Sequence, residues 1–203
     1  MPAPSALSIR AALSRDPILA RIIAEVGPLP RKTPASASAD LAAACRIIAG
    51  QQLSAKAAST IWTRVIALAP AWEPAAVAEL TEQQLCACGL SRNKASFIRG
   101  LAGGVTAGTL DFSAIRRMDD VQASTALSAL KGFGPWSIEM FLMFSLDRPD
   151  LFSRGDAGLR RAICLLYSVA KDEYEHHVEG ITAPWRPYRS HACRYLWAWL
   201  DQQ

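Results

Sequence analysis

The stretch LSALKGFGPW at residues 127–136 decides the fold of this chain. It has the pattern of an apolar helix end, a Gly-x-Gly turn at Gly132 and Gly134, and a second helix that begins at Pro135. Both glycines can take a positive φ and lack a side chain, so a phosphate can come close to the backbone. The unpaired N–H groups at the start of the second helix favour an anion. The stretch therefore predicts two helices joined by a tight, phosphate-binding turn.

A single carboxylate, Asp156, follows in the stretch FSRGDAGLRR at residues 152–161. A carboxylate held near a phosphate-binding turn suggests chemistry on a nucleotide. An Asp in front of AGLR is also a good helix N-cap, which is a purely structural role. The two roles are compatible, because a helix N-terminus favours the ionised form that such chemistry needs.

The composition predicts a soluble, helix-rich protein without a membrane anchor. Apolar residues make up 51% of the 203 residues, and no apolar run approaches the roughly 20 residues that a bilayer span requires. Five cysteines without regular spacing favour a reducing compartment and offer no metal site, so no metal ligands are predicted. The net charge of +4 permits a nucleic-acid partner without requiring one. The expected location is the cytoplasm, in association with the nucleoid, in a bacterium, or the nucleus in a eukaryote.

Apolar residues recur with helical spacing nearly throughout, and no convincing alternating strand is present. A Pro/Ala/Ser linker is predicted at residues 30–38. Helices are predicted within the first fifteen residues and at about residues 17–26, 40–49, 54–68, 81–88, 91–102, 119–130, 135–145, 156–167 and 187–200. The fold class predicted from this pattern is an all-α bundle.

Four motifs in order carry a resemblance to a known family. They are IIAGQQLS at 47–54, LKGFGPW at 130–136, GDAGLRR at 155–161 and WRPYRSHA at 185–192. Over about residues 16–200 the chain resembles the helix–hairpin–helix DNA glycosylase superfamily, and within it the 3-methyladenine DNA glycosylase II family. The four cysteines that hold the iron–sulfur cluster of the endonuclease III branch are absent, so no cluster is expected.

The resemblance implies two helical subdomains that flank a DNA-binding cleft. One subdomain would span about residues 45–130, and the other would combine residues 1–44 with 131–203. The hairpin and the catalytic aspartate would lie at the mouth of the cleft.

The resemblance also implies the chemistry. Asp156 matches the family's catalytic aspartate, which would stabilise the positive charge that builds on the sugar as the glycosidic bond breaks, and would position the attacking water. Bifunctional relatives have a lysine where this chain has Trp136, so a monofunctional glycosylase is expected. Trp136 and Trp197 would line the base pocket, where electron-rich rings attract a cationic base. Met140 stands where family members often have an aromatic residue, which leaves the range of bases open.

DNA contacts are implied for two segments. In the first, Gln52 would fill the space left by the everted base, with Gln51 and Leu53 beside it, and the structural alternative is a helix–helix turn with solvent-exposed amides. In the second, the hairpin would bind phosphate through Lys131, Gly132, Phe133 and Gly134. The hairpin of this superfamily commonly holds a structural monovalent cation, for which the carbonyls of Ser128, Leu130 and Phe133 are the candidates here.

Arginines at positions 154, 160, 161, 186 and 189 surround the motifs, and one or two phosphate contacts are expected among them. The function expected is hydrolytic excision of alkylated bases, of the 3-methyladenine and 7-methylguanine type, from duplex DNA in base excision repair. Two alternatives remain open: a glycosylase for a deaminated or oxidised base, and a DNA-binding module without catalysis. A monomer is the default expectation.

Overall fold

The computed structural model describes residues 5–29 and 36–203, and within these ranges it is built of thirteen α-helices and one 3₁₀ turn, with no strand. The helices are α1 (Ala6–Leu13), α2 (Pro17–Val26), α3 (Ala37–Gly50), α4 (Ala55–Ala67), α5 (Pro74–Glu79), α6 (Glu82–Ala87), α7 (Arg92–Thr106), α8 (Phe112–Arg117), α9 (Asp120–Ser128), α10 (Pro135–Phe144), α11 (Ala157–Leu166), α12 (Tyr174–Thr182) and α13 (Arg189–Leu200). The 3₁₀ turn spans Ala183–Trp185. The all-α fold class predicted from the sequence is confirmed.

Local capping chemistry explains where several helices begin. Ser54 accepts a hydrogen bond from the amide of Ala57, and Thr81 and Gln84 form a reciprocal capping box at the start of α6. Asp16 caps α2 in the same way, with Pro17 at the first helical position. These starts agree with the sequence pattern because each signal lies within four residues of the helix that it begins.

Two predictions along the chain need correction. The helix predicted from about residue 40 begins at Ala37, because Ser36 caps it by accepting a hydrogen bond from the amide of Ala39. Residues 30–35 of the predicted linker lie outside the described residues, and its last two positions belong to α3. The pattern also missed α5, α8 and α12, of which the first two have only six residues, too few to establish a period.

The chain divides into two units. The central unit comprises the described residues of Thr33–Asp147, and the terminal unit comprises residues 5–29 together with Arg148–Gln203. The prediction placed residues 1–44 and 131–203 in one subdomain. The structure instead assigns α3 and the hairpin helix α10 to the central unit, because α3 packs against α4, α7 and α10, and α10 packs against α9.

In the central unit, α3 contributes completely buried side chains to the core. Leu41 and Ile48 are completely buried, and each such side chain contributes about 1.5–3 kcal/mol by leaving water. Asp40 is buried on the same helix and pairs with Arg116 of α8, which also donates to the carbonyl of Ser145 just beyond α10. A buried carboxylate needs such a partner, so this pair fixes α8 on α3.

In the terminal unit, α13 packs against α2 and α11, and α11 packs against α12. Asp16 lies at the centre of a polar cluster in this unit. Its Oδ2 accepts hydrogen bonds from the hydroxyl of Tyr167 at 2.7 Å and from the indole N–H of the buried Trp185 at 2.9 Å. Burial and the neighbouring Asp16 raise the pKa of Tyr167. Over residues 5–29 and 36–203, no helix is both long and apolar enough to cross a membrane.

Candidate functional site

The turn between α9 and α10 is a rigid hairpin. Gly132 has φ +88°, and a Cβ at this position would lie 2.4 Å from Cδ2 of Phe97, so only glycine fits. Phe133 is buried and makes an edge contact with Phe141, with ring centroids 6.0 Å apart. The Phe133 side chain thus anchors the turn, and the backbone of the turn at Gly132 lies close to α7.

Gly134 does not adopt the positive φ that a glycine can take. It has an extended backbone, with φ −90° and ψ 179°, and forms the N-cap of α10. A Cβ on Gly134 would meet no atom within 4 Å, so the space beside the start of α10 is open. No side chain in the described part of the protein caps α10, and Pro135 at its first position has no N–H. The helix start is therefore suited to bind an anion through backbone amides.

Gln51, predicted to contact DNA, is bound to this hairpin. Its Nε2 donates to the carbonyl of Gly132 at 2.7 Å and to Oγ of the buried Ser137 at 2.8 Å. This nitrogen is therefore engaged within the protein and joins the loop after α3 to both sides of the hairpin turn.

The next two residues are exposed. Gln52 has φ +59°, a left-handed conformation that is unfavourable for a residue with a side chain. Leu53 is also exposed, with 40% of its surface in contact with solvent. Both side chains are thus accessible to DNA, and insertion of this segment into the duplex remains a prediction.

Lys94, which the sequence analysis did not single out, holds the same loop from α7. Its Nζ donates to the carbonyls of Ala49 at 2.9 Å and Gln51 at 2.7 Å, at the C-terminal end of α3. Partial burial lowers the pKa of Lys94. A cation at a helix C-terminus interacts favourably with the helix dipole. The segment SRNK carried no signal for this role, because the contact spans more than 40 residues.

The remaining predicted residues of the central unit lie on or beside α10. Trp136 is half-buried in the first turn, Met140 is buried one turn later, and Lys131 is exposed on the hairpin. The candidate cation ligands are backbone carbonyls, and that of Leu130 already accepts the amide of Phe133 at 3.1 Å. This leaves the second lone pair of that oxygen for an ion, and the ion remains a prediction.

In the terminal unit the structure brings Asp156 and Trp197 together. Asp156 is the N-cap of α11, and its Oδ1 accepts hydrogen bonds from the amide of Leu159 at 2.8 Å and from the indole N–H of Trp197 at 3.0 Å. The predicted N-cap and the predicted catalytic group are thus one carboxylate, and its position is fixed from two directions. Trp197 has the role of orienting this carboxylate, besides its predicted role in the base pocket.

Gly158 lies beside Asp156 and Trp197 and was not among the predicted site residues, although it belongs to the GDAGLRR motif. A Cβ on Gly158 would lie 3.1 Å from Oδ1 of Asp156 and 3.3 Å from Nε1 of Trp197. Both distances are tighter than ordinary van der Waals contact, so either group would have to shift. Gly158 therefore leaves the space in which the indole reaches the carboxylate.

The loop before Asp156 is fastened to α13. Burial raises the pKa of Asp150, but the hydrogen bonds and charge of Arg189, with the charge of Arg186, outweigh it and leave the pKa below its ordinary value. The Arg189 guanidinium lies 2.7 Å from Asp150, and Oγ of Ser190 accepts the amide of Leu151 at 2.9 Å. These contacts hold the segment that leads to Asp156.

Most of the arginines predicted to include a phosphate contact are engaged within the protein. Arg154 pairs with Glu175, Arg160 donates to the carbonyl of Lys171, and Arg186 and Arg189 pair with Asp150. Arg161 is exposed and takes part in none of the hydrogen bonds or ion pairs found over residues 5–29 and 36–203. It is the candidate that remains for a phosphate contact.

Comparison with known proteins decides the family. The sequence model described as HhH-GPD superfamily base excision DNA repair protein matches residues 45–187 of this chain. The chain belongs to this superfamily. The matched range includes the loop after α3 and the hairpin between α9 and α10.

Three individual proteins sharpen the relationship. A Bacillus subtilis DNA-3-methyladenine glycosylase is 29% identical over 121 residues, which cover 60% of this chain and 40% of that protein. The chain thus spans less than half the length of this relative. A Bacillus halodurans DNA-3-methyladenine glycosidase has 31% identity and a TM-score of 0.69, with 93% of this chain and 87% of that chain covered. The chain accordingly belongs to the methyladenine glycosylase family.

A structure of Schizosaccharomyces pombe 3-methyladenine DNA glycosylase in complex with abasic DNA is also similar. The TM-score is 0.80 and the identity 25%, over 94% of this chain and 95% of that chain. The similarity therefore extends over nearly the whole of both folds.

Proposed function

We propose that this HhH-GPD protein is a monofunctional DNA glycosylase that everts alkylated bases from duplex DNA and releases them by hydrolysis. The observation that carries the proposal is the fixed carboxylate of Asp156, at a helix N-terminus and bonded to the indole N–H of Trp197. The proposal is further supported by the resemblance to methyladenine glycosylases, one of them bound to abasic DNA. The partner is duplex DNA with an alkylated base. The protein acts as a monomer, in the same compartment as the DNA.

The chemistry follows from the charge that develops during the reaction. A 3-methyladenine or 7-methylguanine base is cationic, so its glycosidic bond is already weakened. As the bond breaks, positive charge builds on the sugar, and a preoriented carboxylate stabilises that charge more than it stabilises the ground state. Asp156 supplies this carboxylate and also positions or deprotonates the attacking water.

Trp136 determines that no covalent intermediate forms. An indole nitrogen is not a nucleophilic amine, so Trp136 cannot form a Schiff base with the sugar, and the strand remains intact after base release. Borohydride treatment of the protein during turnover should trap no protein–DNA adduct. An abundant adduct would contradict the monofunctional assignment.

The hairpin binds the phosphate backbone of the DNA. The amides at the start of α10 and the exposed Lys131 bind phosphate, which fixes the register on DNA without reading sequence. The exposed Gln52 and Leu53 fill the space that the everted base leaves, which offsets part of the unstacking cost of a few kcal/mol.

The decisive experiment is mass analysis of the bases that the purified protein frees from methylated genomic DNA. Release of 3-methyladenine or 7-methylguanine is expected, with Asp156→Asn as the inactive control. Release of only deaminated or oxidised bases from suitably damaged DNA would favour the other glycosylase function. Tight DNA binding with no base released from any substrate would instead indicate a binding module.

A further inference from the structure

The segment that follows α3 is held more firmly than an exposed loop requires. Lys94 is partly buried and donates hydrogen bonds to two carbonyls of this segment, those of Ala49 and Gln51. No carboxylate in the described parts of the chain pairs with it. Taking an ammonium out of water is unfavourable unless its protons are bonded, so its position depends on these two carbonyls.

Gln51 continues the connection toward the hairpin. Its backbone carbonyl accepts the hydrogen bond from Lys94, while its side chain donates to Gly132 and Ser137. Three separate elements, α7, the loop after α3 and the hairpin, are therefore joined in series through one residue. We call this arrangement of Lys94 and Gln51 the strut.

The strut ends directly beside a residue with an unfavourable backbone conformation. Gln52 has φ +59°, and the carbonyl that Lys94 bonds belongs to the peptide between Gln51 and Gln52. Left-handed conformations at residues with side chains persist only where the surroundings fix them. The hydrogen bond from Lys94 supplies such a constraint at the peptide concerned.

We propose that Lys94 and Gln51 are positioning residues that hold the exposed Gln52–Leu53 segment at a fixed distance from the phosphate-binding hairpin, so that binding of the phosphates drives insertion of the segment into the duplex. The inference rests on the proposed function, since it assigns these residues a part in base eversion. Neither residue touches the reacting atoms. Their effect is on how often the bound DNA reaches the everted state.

The test removes the ammonium and keeps the hydrocarbon stem with Lys94→Met. Under single-turnover conditions with saturating protein, base release should fall about ten- to hundredfold, as expected for hydrogen bonds from a charged donor. The affinity for duplex DNA with an abasic-site analogue should change much less, because the hairpin amides remain. A 2-aminopurine next to the lesion should show a smaller rise in fluorescence on binding than with the wild-type protein.

A double-mutant cycle with Gln51→Met tests whether the two residues act as one unit. If they do, the double variant should release base no more slowly than the slower single variant. Effects that simply multiply would contradict the strut. The matched control is Lys56→Met, which removes an exposed lysine of α4 in the same unit and should leave the saturating rate within about twofold.

The results separate the strut from a general contribution to stability and from the proposed function. A lower unfolding temperature of Lys94→Met, with unchanged saturating rate and unchanged 2-aminopurine signal, would overturn the strut. Failure of the wild-type protein to release any base would contradict the proposed function instead. The abasic-site affinity and the fluorescence measurement would still test the strut in that case.

Discussion

Asp16 and Asp156 are two N-cap aspartates of the terminal unit, and each also accepts a hydrogen bond from an indole N–H. Asp16 begins α2 and meets Trp185, whereas Asp156 begins α11 and meets Trp197. The two carboxylates thus share two kinds of donor, a backbone amide of the helix that they begin and a tryptophan indole.

Their surroundings differ. Asp16 uses both oxygens, one for two amides of α2 and the other for Tyr167 and the buried Trp185, so it ties three segments into one core. Asp156 accepts the amide N–H of Leu159 and the indole N–H of Trp197 on Oδ1, and Trp197 is partly exposed whereas the Trp185 that meets Asp16 is buried. We therefore expect the cap at Asp16 to contribute mainly to stability, and the cap at Asp156, under the proposed function, to orient the catalytic carboxylate.

The strongest test of this contrast is Asp156→Asn. The amide oxygen still caps α11, so the free energy of unfolding should change by less than about 1 kcal/mol. The negative charge is lost, so single-turnover base release should fall at least about a hundredfold. Binding to abasic-site DNA should persist, and unchanged base release would overturn the catalytic assignment.

Asp16→Ala should show the reverse behaviour. It removes the cap of α2 and leaves the donors of Tyr167 and Trp185 without an acceptor, so unfolding should become easier by roughly 3–5 kcal/mol. Denaturant unfolding measures this loss, and base release per folded molecule at low temperature should stay close to that of the wild type. A stable but inactive Asp16→Ala protein would contradict the division of roles.

Trp197→Phe keeps an aromatic ring and removes the N–H that bonds Asp156. Loss of one hydrogen bond to a charged acceptor should slow base release about tenfold at saturating protein. The matched change Trp185→Phe at Asp16 should instead lower stability by about 1–3 kcal/mol and leave the rate unaltered. Equal effects of the two changes on the rate would remove the distinction between the carboxylates.

Gly158→Ala should have the smallest effect. The added Cβ crowds Oδ1 of Asp156 and the indole of Trp197, so base release should fall severalfold even though alanine favours a helix by up to about 1 kcal/mol. Gly180→Ala is the control, since a Cβ there meets nothing within 4 Å in α12. It should raise stability slightly without changing the rate, and a Gly158→Ala protein that behaves the same way would show that the space is not needed.

Much of this protein could be predicted because the signals are local. The hairpin follows from LKGFGPW, and the N-cap role of Asp156 follows from the residues after it. The short helices α5 and α8 escaped prediction because six residues do not complete two turns. Both glycines of residues 130–136 can take a positive φ, but only Gly132 has one, and the packing of Phe97 against it could not be read from the sequence.

The contacts that were missed join distant parts of the chain. Gln51 reaches residues 81 and 86 positions away, and Asp16 reaches residues 151 and 169 positions away. Nothing in the sequence around Lys94 predicts its contact with the end of α3. No spacing rule in a single sequence encodes such pairs.

The sequence by itself determined the helical fold class, the tight turn between α9 and α10 and the N-cap carboxylate at position 156, because capping, glycine geometry and helical period act over a few residues. The tertiary structure alone decided which aspartate supports the core and which is aimed by an indole, and that Gln51 bonds the hairpin. Those outcomes depend on packing between segments far apart in the chain, where hydrogen-bond geometry is set by the fold as a whole.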